Sequence, residues 1–266
     1  MSLHCETSGD GPDLVLVHGW GVNSAVWQSV LPLLIRRYRV TCVDLPGHGA
    51  SHDTSMSAPL TAVAQQVLAV VPQSAIWLGW SLGGLIALQV ALQAPAQVRG
   101  LILSNTTPRF ITAADWPHAM PSAQLDEFAA ELTQDFAGTV RRFLALQVLG
   151  DERARDTLRA LRDSVLARGV PDAASLAAGL GILRDTDFRS ELHRISMPTL
   201  VMTGAYDRLT PSSAGEFMAT TIRDAELVCL PRTAHAPFIS QPAGFVHALD
   251  DFTARKFPES NREHVD

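Results

Sequence analysis

The chain has 266 residues, 47% of them hydrophobic and 18% charged, with a formal net charge of −6. That is enough apolar material for one large core, and the acidic balance excludes a broad basic footprint for nucleic acid. The three cysteines, Cys5, Cys42 and Cys229, have no metal-ligand spacing, and two of them sit in strand-like apolar runs, so they read as reduced and mostly buried.

The first residues, MSLHCETSGDGPD, offer neither a basic nor an apolar stretch of the kind a secretory leader needs. No run of about 18 apolar residues occurs, so no membrane-spanning helix is expected and a cytoplasmic location fits best. From there short apolar runs alternate with amphipathic stretches. The runs are 14–19, 38–45, 75–80, 100–105, 199–204 and 225–230, rich in Val, Leu and Ile as strands covered on both faces should be. Helices are expected at 25–36, 59–71, 82–94, 212–220 and 242–256. This order predicts a mostly parallel sheet flanked by helices.

The alternation breaks between Pro108 and Leu192, where the pattern is helical. Phe128, Leu132 and Phe136 follow a four-residue spacing, as do Phe143 and Gln147. We read residues 108–192 as a helical lid inserted into one discontinuous core, 1–107 and 193–257, over the edge where open α/β sheets bind ligands. Residues 258–266 read as a polar tail.

Gly79-Trp80-Ser81-Leu82-Gly83 is a G-x-S-x-G pattern between an expected strand and an expected helix. Such a sharp turn needs small flanking residues and lifts the serine hydroxyl over the sheet edge. A serine is a poor nucleophile without a base. Of nine histidines, His235 follows the strand AELVCL near the close of the domain, whereas His118, His193 and His247 fall in the lid, before a strand and inside a helix. Asp207 follows the strand TLVMTG and completes the order Ser, Asp, His. Its rivals are Asp185 and Asp187 in the lid's return segment, and Asp44, which reads as a loop anchor. The backbone N–H groups of Trp20, in His18-Gly19-Trp20-Gly21, and of Leu82 are the expected oxyanion donors. The Trp20 side chain is also a candidate pocket wall.

With HGWG (18–21), AIWLGWSLGGL (75–85), RFLALQ (142–147), SMP (196–198) and HAPFISQP (235–242), the chain resembles the pimeloyl-[acyl-carrier protein] methyl ester esterases of biotin synthesis, from about residue 13 to 256. The resemblance implies the α/β-hydrolase fold and hydrolysis of a methyl ester on a pimeloyl chain carried by acyl carrier protein. It implies substrate contacts at Trp20, Ser81, Leu82, Phe143, Leu144, Ala145, Leu146, Gln147 and His235, and carrier contacts at Arg142, Arg155 and Arg159. Gly138 departs from it, standing where a relative has arginine. No metal, organic cofactor, nucleic acid or membrane is implied, and a monomer is expected.

The residues themselves support a basic lid. Between 141 and 168 there are seven arginines and four acids. At about 100° per residue Arg155, Arg159 and Arg162 share a face beside the apolar stripe Leu158, Leu161 and Val165. A solvated face relieved by the pairs Asp151–Arg155 and Asp156–Arg159 is the plainer reading of those charges. A general short-chain carboxylesterase or lactonase, and a ligand receptor that keeps the fold without catalysis, are the competing functions.

Overall fold

The computed structural model describes residues 2–56, 59–132, 134–169 and 171–258. The expected polar tail lies outside the described residues apart from Pro258. Seven strands form one sheet: β1 (Cys5–Ser8), β2 (Asp13–Val17), β3 (Arg39–Val43), β4 (Ala75–Trp80), β5 (Val98–Ser104), β6 (Thr199–Gly204) and β7 (Ala225–Leu230). Their spatial order is β1-β3-β2-β4-β5-β6-β7. Only β1, which no apolar run announces, is antiparallel to its neighbour. From β2 the chain steps outward to β3 and then crosses back to β4 on the other side of β2. The C-terminal ends of β2 and β4 therefore form the crevice where the strand order reverses, the place such sheets bind ligands.

All residues of β4 and β6 are buried, as a strand covered by helices on both faces requires. Edge strand β7 differs from its expectation: Leu227 and Cys229 are exposed, because that strand has a neighbour on one side only. Of the cysteines only Cys42 is buried, and Cys5 is intermediate.

The helix expected at 25–36 is a 3-10 turn, Ser24–Ser29, followed by a short α1 (Leu31–Leu34). Pro32, in the first turn of α1, has no N–H to donate back, so an α-helical ladder cannot run on from the 3-10 turn. Helices α2 (Leu60–Leu68) and α3 (Leu82–Gln93) lie where expected. α3 is apolar on all sides and buried along almost its whole length.

Between β5 and β6 stand α4 (Ser122–Leu132), α5 (Phe136–Gln147), α6 (Ala154–Ala167) and α7 (Ala173–Asp185). Phe136 does not continue the helix of Phe128 and Leu132. Asp135 caps a new one by accepting the Gly138 N–H at 2.8 Å. The two ends of this insertion meet where Phe188 N–H donates to Pro108 O at 2.8 Å and Arg109 pairs with Asp187 at 2.7 Å. α8 (Ser212–Thr221), a short α9 (Pro237–Ser240) and α10 (Pro242–Lys256) complete the core. Among the described residues no helix is long and apolar enough to cross a membrane.

Candidate active site

Ser81 joins β4 to α3 with φ 55° and ψ −119°, a backbone conformation that costs a non-glycine residue on the order of 1–3 kcal/mol. Three hydrogen bonds hold it there: Ser81 N–H to Ser104 O (3.1 Å), Gly84 N–H to Ser81 O (2.9 Å) and Thr106 Oγ1 to Ser81 O (2.8 Å). The flanking glycines are a steric necessity. A Cβ on Gly79 would lie 2.3 Å from Gly83 O, and one on Gly83 would lie 2.2 Å from Val17 O. The turn is thus packed backbone against backbone on the end of β2, and this contact brings Ser81 beside Gly19, whose ideal Cβ would sit 3.2 Å from that of Ser81.

His235 and Asp207 come from the loops after β7 and β6. The His235 Nδ1–H donates to Asp207 Oδ2 at 2.8 Å, with both side chains essentially without solvent contact. This fixes the tautomer, leaving the lone pair on Nε2. Nε2 is buried and has no hydrogen-bond partner among the described residues. A buried unpaired acceptor is costly, and that is the nitrogen a general base must keep free. Burial pushes the Asp207 carboxyl up, yet the adjoining imidazole and hydrogen bonds from Thr210 and Asn105 hold it below the usual carboxylate range. The carboxylate accepts Leu209 N–H (2.9 Å) and Thr210 N–H (3.0 Å) on Oδ1, and Thr210 Oγ1 (2.6 Å) and Asn105 Nδ2 (2.8 Å) on Oδ2.

The rival residues are engaged elsewhere. His247 faces solvent against Asp251, His193 is exposed, and His118 meets Ser213. Asp185 pairs with Arg184, and Asp187 with Arg109 and Arg189. Asp44 accepts Ser24 N–H (2.7 Å) and Ala50 N–H (2.9 Å), the loop anchor its place suggested. His18 accepts Leu45 N–H on Nε2 at 3.0 Å, so its Nδ1–H donates to Gly19 O, and burial pushes its pKa down and keeps it neutral.

The Trp20 backbone N–H has no acceptor among the described residues, and Leu82, at the first position of α3, has no intrahelical one. Both donors are free for an oxyanion. The Trp20 indole donates to Leu176 O on α7 at 2.8 Å and meets Phe143 of α5 edge-on, with ring centroids 4.6 Å apart. Trp20, Ser81, Leu82 and His235 of the core and Phe143 of the insertion are all buried.

A family model for the alpha/beta hydrolase fold matches residues 12–242. The chain is 43% identical over 249 residues to the pimeloyl-[acyl-carrier protein] methyl ester esterase of Nitrosomonas europaea, covering 94% of this chain and 98% of the relative. It is 46% identical to the enzyme of that name from Edwardsiella ictaluri, covering 94% and 97%. A solved hydrolase from Pseudomonas aeruginosa superposes with a TM-score of 0.82 at 34% identity, covering 94% and 93%. The chain belongs to the pimeloyl-[acyl-carrier protein] methyl ester esterase family of α/β hydrolases.

The segment Phe143 to Gln147, for which the resemblance implies substrate contacts, lies on α5 and presents two faces. Phe143, Leu144 and Gln147 are buried, Leu146 is half-buried, and Ala145 is exposed on the outer face, as the helical repeat requires. Arg142, Arg155 and Arg159 all reach solvent; Arg142 lies against Glu131, and Arg159 is 3.5 Å from Asp156. A Cβ on Gly138 would lie 1.8 Å from the Asp135 carboxylate, so glycine there leaves room for that cap. Asp151 does not pair with Arg155. It is 7% exposed and turns inward, accepting Arg153 N–H (2.7 Å) and Ala234 N–H (3.0 Å).

Three residues at the site escaped sequence reasoning: Asn105, Thr210 and Asp151. Thr210 lies three residues beyond Asp207, a spacing suited to a side-chain-capped turn. Asn105 has φ 45°, and neither it nor Asp151 carries a local signal.

Proposed function

We infer that this chain is a serine carboxylesterase that removes the methyl ester from pimeloyl-[acyl-carrier protein], releasing methanol and leaving the thioester intact. The observation that carries the catalytic assignment is His235, locked through Nδ1 to Asp207 at 2.8 Å with its buried Nε2 left without a partner. The substrate comes from the names of the relatives that match along almost the full chain.

In this mechanism His235 Nε2 takes the Ser81 hydroxyl proton as Oγ attacks the methyl ester carbonyl. The tetrahedral oxyanion is held by the N–H groups of Trp20 and Leu82. The first sits in the loop on Gly19, which touches the serine; the second opens α3, where the helix dipole favours negative charge. The protonated imidazole gives its proton to the departing methoxide, and methanol leaves an acyl-enzyme. Water, deprotonated by the same nitrogen, then hydrolyses the acyl-enzyme and returns the proton to Ser81 Oγ. Asp207 holds the imidazolium without taking its proton.

The segment 108–192 acts as a lid whose exposed Arg142, Arg155 and Arg159 receive the acidic carrier. The pimeloyl chain then reaches inward so that the distal ester, rather than the thioester, meets Ser81, and position decides which acyl group reacts. The test is methanol release from the carrier-bound methyl ester, with dimethyl pimelate and a fluorophosphonate probe in parallel. Wild type is expected to favour the carrier-bound ester, and Ser81→Ala to lose both turnover and labelling. Equal turnover of free and carrier-bound esters makes the chain a general esterase. No labelling of Ser81 makes it a receptor.

A further inference from the structure

The main chain that carries His235 is gripped from two directions. From the core, Asn105 Nδ2 donates to Ala234 O at 3.1 Å, and Trp80 Nε1 donates to His235 O at 2.7 Å. From the insertion, Gln147 O accepts His235 N–H at 3.0 Å, and Asp151 Oδ2 accepts Ala234 N–H at 3.0 Å. Just beyond, Glu152 N–H donates to Arg232 O at 3.2 Å. The peptide group before the histidine is therefore held by Asn105 from the core and Gln147 from the insertion, the one after it by Trp80, and the one before Ala234 by Asp151.

On the insertion side the side-chain contribution is Asp151. Its bond to Ala234 N–H is charge-assisted and buried, which makes it stronger than an ordinary peptide hydrogen bond. The other oxygen accepts Arg153 N–H, which fixes the turn into α6. We propose that Asp151 is a positioning residue for His235, through which the seating of the insertion sets the aim of Nε2. The proposal rests on the triad reading above. Asp151 precedes α6, the helix of Arg155 and Arg159, so any displacement of that helix is transmitted to Ala234, and the histidine is fully held only when the insertion is seated.

The experiment uses the full chain, a small soluble methyl ester and a fluorophosphonate, so that carrier docking does not enter. Asp151→Ser isolates the contact, since its hydroxyl can still accept Arg153 N–H but is too short to reach Ala234. Asp151→Asn keeps an oxygen at the same reach. For Asp151→Ser we expect kcat and the labelling rate of Ser81 to fall about ten-fold with KM within about two-fold, a size set by the sensitivity of proton transfer to ångström misplacement. The acid limb of its kcat–pH profile should move, and Asp151→Asn should restore most of the rate.

A Ser variant with a lower melting temperature but wild-type kcat, labelling and pH limb overturns the proposal, as does an Asn variant no better than Ser. Should Asp151→Ser not fold, Asp151→Asn carries the test against wild type: near-wild-type rate and pH limb support positioning by the oxygen, and a ten-fold loss overturns it. Failure of the triad reading would appear separately, as turnover that survives in Ser81→Ala.

Discussion

At the C-terminal ends of β2 and β4 the candidate site is built from backbone in contact with backbone, whereas the insertion reaches it through hydrogen bonds and ring edges. Gly79 and Gly83 leave no room for a methyl group, because a carbonyl oxygen would lie within 2.3 Å of it. The insertion instead touches the site through Trp20 with Phe143, Trp20 with Leu176 O, and the bonds of Gln147 and Asp151 to the histidine loop. Steric contact of the first kind admits one geometry. Contacts of the second kind can break and re-form at a cost of a few kcal/mol. The core is therefore the fixed half of the site, and under the lid role proposed above the insertion is the half that lets an acyl chain reach a serine that is 2% exposed.

The largest effects belong to the fixed half. Asp207→Asn should leave the fold intact and cut kcat by about 10⁴, because the amide favours the wrong imidazole tautomer. Steady-state hydrolysis of a small ester measures this, and a loss below ten-fold would move the acid's role to another carboxylate. Gly83→Ala should destabilise the protein by about 3 kcal/mol or more, since the new Cβ lies 2.2 Å from Val17 O and 2.6 Å from His18 O. Thermal unfolding at wild-type levels would show that the elbow yields more than its packing implies.

Acid should also act first on the core. Burial pushes His48 down to about 3 and His18 below its usual value, so both stay neutral in the native state while the unfolded chain takes up protons. The unfolded state then binds more protons, and stability falls as pH drops below about 6.5, by up to about 1.4 kcal/mol per pH unit for His48 down to about 3, with His18 adding loss in the same direction until its own lowered pKa is passed. Asp207, also depressed, adds loss in the same direction below its ordinary range. Urea midpoints at pH 7 and pH 5 test this, and a flat profile would mean that these rings titrate freely.

A smaller and more selective effect is expected on the insertion. Arg155→Glu with Arg159→Glu should lower kcat/KM for the carrier-bound ester about ten-fold at low salt, mainly through association, and leave a free methyl ester unchanged. Equal losses on both substrates would place these side chains in catalysis rather than docking.

How much was legible varies between the same two regions. Six of the seven strands and the long core helices could be read from apolar runs, which mark the strands buried on both faces and also the partly exposed β7. β1 could not, being an edge strand, CETS, whose side chains are mostly exposed. The insertion was legible as helical but not in its breaks: the spacing of Phe128, Leu132 and Phe136 crosses from α4 to α5 through a cap at Asp135. Asp151 stands four residues before Arg155, a spacing that suggests a helical ion pair, but it precedes α6 and the tertiary structure turns it inward to Ala234.

The chain alone spells out the turn at Ser81, since small residues between an apolar strand and an apolar helix meet the local demand that Gly79 pass against Gly83. It also determined which loops carry Asp207 and His235. Folding alone brings Asn105 and Asp207, 102 residues apart, into a hydrogen bond, and carries Asp151 to Ala234 across 83 residues. Those contacts join separate strand ends and a separate insertion, and what brings them together is the stacking of the sheet and the docking of helices upon it, which no short stretch of sequence encodes.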